Sequence, residues 1–249
     1  MDMDKLEQAL AANQNVRFIY VIPNFQNPTG WTMSLEKRKR LYDIAVKAGV
    51  LILEDDPYGE LRYEGEDIPT LKSMDTHGIV LYAGSFSKTI SPGLRVGYIL
   101  GNKKYMDKMA AAKQVSDVHS TNLSQIIVHK FMEKYTMKRQ LAEICEIYTK
   151  RLAVAEECIA KHMGERVSYV KPQGGLYIYC KLPEGVDSIE FCRAALEAGV
   201  AVVWGASFNV DPNEKSPYFR INFSNPTKEQ LRTGIEILGK VLNEKFAIS

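Results

Sequence analysis

Cysteine, histidine and tryptophan are scarce in this 249-residue chain, at four, four and two copies. The cysteines (Cys145, Cys158, Cys180 and Cys192) form no C-x-x-C pair, and no two lie at zinc-ligand spacing with a histidine. That argues against a zinc ribbon or a redox dithiol, and buried free thiols in a reducing compartment are the expectation. His77, His119, His129 and His162 are dispersed, so no metal site is expected. Charge of one sign is also missing: 32 Lys and Arg stand against 30 Asp and Glu. The densest basic run, Glu36-Lys37-Arg38-Lys39-Arg40, falls on an amphipathic helix pattern and reads as a solvated face, so nucleic acid is not an expected partner. No apolar run is long enough to span a bilayer. The start, Met1-Asp2-Met3-Asp4-Lys5, is acidic and lacks the basic and apolar stretches of a signal peptide, which makes the cytoplasm the expected location. Internal repeats and low-complexity linkers are absent too.

What is there is ordinary for a globular protein: 45% hydrophobic and 25% charged residues, enough to bury a sizeable core. Asp4 is placed to cap a helix through Asn13. Val16–Ile22 reads as a strand, and 23–30 as a turn-rich stretch. Ser34 then caps a helix that ends at Gly49, with Leu35, Leu41, Ile44, Ala45 and Ala48 on one side. Further apolar runs at 50–53, 78–82 and 95–100 predict an α/β arrangement with a mainly parallel sheet buried on both faces. Helix-period patterns cover 103–115, 120–134 and 137–163, the last long enough to link two domains. Beyond it the pattern becomes α+β, with strands at 175–182, 200–204 and 218–223 and helices at 188–198 and 227–243. The last helix opens on a capping box, Thr227-Lys228-Glu229-Gln230.

In open α/β sheets ligands gather at the carboxyl ends of the parallel strands. Three such ends carry chemistry: Pro23-Asn24-Phe25-Gln26-Asn27-Pro28-Thr29-Gly30, Glu54-Asp55-Asp56-Pro57-Tyr58 and Gly84-Ser85-Phe86-Ser87-Lys88. An amide, an acid with a phenol, and a lysine flanked by hydroxyls would converge on one crevice. Each residue also has a plainer role open to it. Lys88 is a solvated charge in that reading, Asp55 a turn cap, Asn27 a turn former and Tyr58 a packing residue. Ser85 and Ser87 would satisfy local backbone groups, and Arg95 and Arg220 would form ion pairs.

Five blocks, in order, resemble the class I/II aminotransferases of pyridoxal-phosphate fold type I. They are Asn27-Pro28-Thr29-Gly30, Asp55-Asp56-Pro57-Tyr58, Ser85–Gly97 (Ser-Phe-Ser-Lys-Thr-Ile-Ser-Pro-Gly-Leu-Arg-Val-Gly), Pro172–Tyr177 and Phe219–Phe223. The form around Lys88 is most similar to the 2-aminoadipate aminotransferase-like subgroup, which also supplies the C-terminal domain of certain chimeric transcription regulators. The resemblance implies the type I fold: residues 1–136 as the C-terminal part of the large cofactor-binding domain, 137–163 as a linking helix and 164–249 as a small domain.

The resemblance also implies roles. Lys88 would carry pyridoxal 5'-phosphate as a Schiff base and later move the proton between Cα and the cofactor carbon. Asp55 would pair with the pyridine nitrogen and keep the ring an electron sink. Tyr58 and Asn27 would hydrogen-bond the ring oxygen, and Ser85, Ser87 and Arg95 would contact the phosphate. Arg220 would clamp the substrate α-carboxylate, and Asn27 would also contact the substrate. The implied partners are an amino acid, a 2-oxo acid and a second copy of the chain. Competing readings are a non-catalytic effector-binding domain of a regulator and a pyridoxal-phosphate lyase. Family members extend further on the N-terminal side, where they carry the phosphate-cradling loop and the residue stacked on the pyridine ring. No glycine-rich strand-to-helix turn precedes Val16.

Overall fold

The computed structural model describes residues 1–211 and 213–246. The chain divides into two units, Met1–Asn24 with Thr32–Ala142, and Phe25–Trp31 with Glu143–Ser249. This differs from the expected boundaries at 136/137 and 163/164. The break falls inside the long helix, and a short loop, Phe25–Trp31, groups with the C-terminal residues. Residues 247–249 of the expected small domain lie outside the described residues.

The first unit opens with α1 (Met3–Ala12), capped by Asp2, whose carboxylate accepts from Asp4 N and Lys5 N. Asp4, expected as the cap, sits in the first turn instead, because the buried Met3 is already helical. A four-stranded sheet follows in the order β1 (Phe18–Val21), β2 (Leu51–Asp55), β3 (Val80–Ser85), β4 (Gly97–Leu100). The first three are parallel and β4 is antiparallel to β3. Residues 86–96 are too short a link for a parallel crossover, which takes about a dozen residues or more.

Helix α2 (Leu35–Ala48) runs from the Ser34 cap to Gly49, which takes the left-handed conformation at the C-cap. It packs Leu41, Ile44 and Ala45 against Ile19, Val21, Ile52 and Val80. Complete burial of a side chain such as Leu41 or Ile52 contributes about 1.5–3 kcal/mol. Arg38 lies in the same stripe as Leu41, Tyr42 and Ala45 and is fully buried, so the basic run is not wholly a solvated face. A buried guanidinium is costly unless its donors are engaged. Here they reach the carbonyls of Pro23, Met33, Ile68 and Pro69 and the Asn24 amide oxygen.

The opposite face of the sheet is open. Phe18 and Tyr20 alternate outward from β1 at 55% and 49% exposure, so burial on both faces is not observed in this chain. Helices α3 (Lys103–Ser116) and α4 (Asn122–Lys134) complete the unit, with Val128 their only buried residue.

The second unit contains most of α5 (Met137–His162), a three-stranded antiparallel sheet and two helices. The sheet order is β5 (Tyr177–Lys181), β7 (Tyr218–Asn222), β6 (Val203–Trp204). Burial in α5 is confined to Leu152, Val154, Ala155, Cys158 and Ile159; Leu141, Ile144, Cys145 and Tyr148 of the expected stripe are half-buried. Helix α6 (Ser188–Glu197) is capped by Asp187. Helix α7 (Lys228–Lys245) forms the predicted capping box between Thr227 and Gln230. No helix among the described residues is long and apolar enough to cross a membrane.

Candidate functional site

The three acids that end β2 face three ways, because strand side chains alternate and the last leaves the strand. Glu54 turns into the core, where its carboxylate accepts from Leu71 N and Lys72 N. Burial pushes its pKa up, those two N–H groups opposing. Asp56 accepts from Asn24 Nδ2 at 3.0 Å and Tyr82 Oη at 3.2 Å, and burial raises its pKa as well. Asp55 lies on the open face. Its one hydrogen bond among the described residues comes from Tyr20 Oη, at 2.6 Å to Oδ2. The other oxygen remains for a ligand.

Lys88 follows β3 in a tight turn closed by Ile90 N and Ser91 N on the Phe86 carbonyl. Its side chain is half-buried and makes no hydrogen bond or ion pair among the described residues. The preceding Ser85 Oγ accepts from Ser87 N at 3.1 Å, the local use expected of a strand-end hydroxyl. Ser87 Oγ accepts from Arg95 Nη1 at 3.4 Å. Arg95 itself takes the left-handed conformation, φ 55°, and also donates to the Pro92 carbonyl. Ser85, Ser87 and Arg95 are thus linked within one turn of Lys88. Tyr58 is almost fully buried, at 6% exposure.

In the second unit, Arg220 Nη1 donates to Asn27 Oδ1 at 2.6 Å. Two glycines allow the loop that carries Asn27 to lie against β5 and the turn before it. A Cβ on Gly30, φ 69°, would meet the Tyr177 carbonyl at 2.8 Å, and one on Gly175, φ 76°, would meet Phe25 Cβ at 2.5 Å. The Arg220 guanidinium stacks 4.2 Å from the Tyr177 ring centre and 5.4 Å from that of Phe208. Its Nε is buried without a hydrogen-bond partner. A buried donor in that state is costly, and an anionic ligand would satisfy it.

In the first unit the donor set of an amine, a carboxylate with an open oxygen and hydroxyls joined to a guanidinium suits a phosphorylated aldehyde cofactor. In the second unit, by itself, a guanidinium with an unanswered N–H suits a carboxylate. Sequence reasoning missed Tyr20. The signal was available: β1 and β2 are parallel with Tyr20 opposite Leu53, so alternation puts Tyr20 and Asp55 on one face. It also missed the buried Arg38 and Asn24, which nothing short of packing reveals.

Residues 1–238 match the family model of aminotransferase class I and II. The chain belongs to that family. Among its relatives, the aromatic-amino-acid aminotransferase 1 of Thermococcus litoralis is 36% identical, over 98% of this chain and 58% of its own length. The 2-aminoadipate transaminase of Thermus thermophilus is 32% identical, over 99% and 62%. The solved structure of Pyrococcus horikoshii kynurenine aminotransferase superposes with a TM-score of 0.94 at 33% identity, covering all of this chain and 62% of the other. The chain therefore spans about three-fifths of the length of those relatives, and the fold is that of the type I enzymes.

Proposed function

We propose that this chain carries the cofactor- and carboxylate-binding residues of a pyridoxal-phosphate aminotransferase that moves an amino group from an amino acid to a 2-oxo acid. The observation that supports the reading most is that the ends of two neighbouring parallel strands of one unit carry Asp55, with an oxygen open, and Lys88 in its tight turn with the Ser87–Arg95 pair. The relatives that match it are named for amino-acid substrates. A homodimer in the cytoplasm is proposed with this activity, in keeping with the exposed apolar side chains of β1 and α4.

When bound, pyridoxal phosphate supplies an aldehyde that condenses with amines and a protonated ring that accepts the electron pair left at Cα. Lys88 Nζ would hold the group, and the same nitrogen, once free, would take the proton from the substrate Cα and return it on the other side of the transfer. Asp55 Oδ1 would accept from the ring nitrogen, and Tyr58 and Asn27 would donate to the ring oxygen. Ser85, Ser87 and Arg95 would bind the phosphate. Arg220 grips the α-carboxylate, its orphaned Nε supplying one arm of a bidentate pair.

The test is to incubate the chain with pyridoxal phosphate, reduce with borohydride and map the added mass. One adduct per chain confined to Lys88, and lost in Lys88→Ala, is the expected result. No adduct, or label spread over surface lysines, counts against the reading.

A further inference from the structure

We infer that Tyr20 is a positioning residue for Asp55, and that its hydroxyl fixes the carboxylate so that a single oxygen faces the ring nitrogen of the cofactor. The inference rests on the functional reading above, but the contact behind it belongs to the protein alone.

Asp55 closes β2, and a carboxylate at a strand end turns freely about its last bond unless something pins it. Its neighbours provide no pin, since the carboxylates of Glu54 and Asp56 are committed elsewhere, to Leu71 N and Lys72 N and to Asn24 and Tyr82. Tyr20 does provide one. Parallel pairing of β1 with β2 sets Tyr20 opposite Leu53, so its ring extends along the same face toward Asp55 two residues on. The phenol can only donate to an ionised carboxylate, and it does so to Oδ2 at 2.6 Å. Burial and the Asp55 charge both hold the phenol protonated well above the ordinary tyrosine range, so the donor persists at any working pH. With Oδ2 occupied, Oδ1 is the oxygen left to meet a cationic N–H. A carboxylate with both oxygens free would spread over several orientations and lose part of that interaction.

Tyr20 is half-exposed, so removal of its hydroxyl leaves ring packing and strand pairing intact, and Tyr20→Phe should fold. Two measurements test the role. The first uses the ligand-free chain with carbon-13 at tyrosine Cζ, the Tyr20 signal being assigned by its absence in Tyr20→Phe. In Asp55→Asn that signal should titrate at lower pH than in the wild type. An unchanged titration overturns the inference whether or not cofactor binds.

The second compares Tyr20→Phe in the wild-type and Asp55→Asn backgrounds. The hydrogen bond is charge-assisted, so Tyr20→Phe should weaken retention of pyridoxal phosphate by about tenfold. It should also let the nitrogen-15 signal of the labelled ring lose its proton at lower pH. Neither change should appear when Asp55 is already Asn. Equal losses in both backgrounds would make Tyr20 a merely structural residue and overturn the inference. If the wild-type chain takes up no cofactor, the functional reading fails, and the tyrosine titration alone decides the inference.

Discussion

Arg220 illustrates how one side chain can be caught between a structural and a chemical role. Stacking on Tyr177 and the bond to Asn27 hold the guanidinium in place, yet the buried Nε has nothing to donate to. That unanswered donor, beside the stacked and anchored guanidinium, is the reason to propose a carboxylate for it. Lysine in its place keeps the charge and loses the planar fork. Arg220→Lys should therefore lower kcat/KM for the amino acid by about 10- to 100-fold, the worth of a charge-assisted hydrogen bond. Retention of cofactor should be unchanged, which separates this loss from damage to the Lys88 end. An undiminished kcat/KM would remove Arg220 from the substrate site. Arg220 was legible in the sequence only through the family pattern, because its spacing within a strand-like run is equally that of an ordinary ion pair.

At the scale of elements, β2 shows how a strand end sorts like side chains into different duties. Glu54, Asp55 and Asp56 are consecutive acids, and only alternation and the neighbouring strands tell them apart. The Asp56 carboxyl is raised above its ordinary 3.8 by burial, against the pull of Asn24, Tyr82 and the Arg38 charge. A raised native pKa means that the folded chain holds this proton more tightly than the unfolded one. The corresponding stability is fully present below about pH 4, the unfolded value, and is lost as pH rises through the native value. Asp56→Asn should not titrate there. The urea midpoint of the wild type minus that of the variant should therefore fall as pH climbs from about 4 toward neutrality. A difference that grows with pH would mean the carboxylate form is the one the fold favours. The elements themselves were largely legible: Ser34 and Gly49 bracket α2, Thr227 and Gln230 open α7, and the apolar runs mark seven strands close to where they lie. What the pattern missed were the reversal of β4 and the burial of Arg38, since both depend on what a neighbour requires.

At the scale of the whole molecule the chain exposes apolar surface on several elements. Phe18 and Tyr20 stand out from β1, Ile99 and Leu100 from β4, and Leu123 and Ile126 from α4. Strands β1 and β4 are the two edges of their sheet. Open edges and clustered apolar side chains favour association. Light scattering on the purified chain should give a mass above that of a monomer that rises with concentration, and Phe18→Ser with Ile99→Thr should reduce it. A clean monomer at high concentration would count against association. By itself the sequence determined the family, the order of helices and strands and the identity of Lys88, Asp55 and Arg220 as residues to examine, because those follow from local periodicity, caps and ordered motifs. Only the tertiary structure decided which oxygen of Asp55 is taken, that Arg220 keeps an unanswered N–H, and that Arg38 is buried. Each of these is set by residues distant in sequence, Tyr20 for Asp55, Asn27 for Arg220 and Pro69 for Arg38, and such pairings exist only once strands and loops have packed.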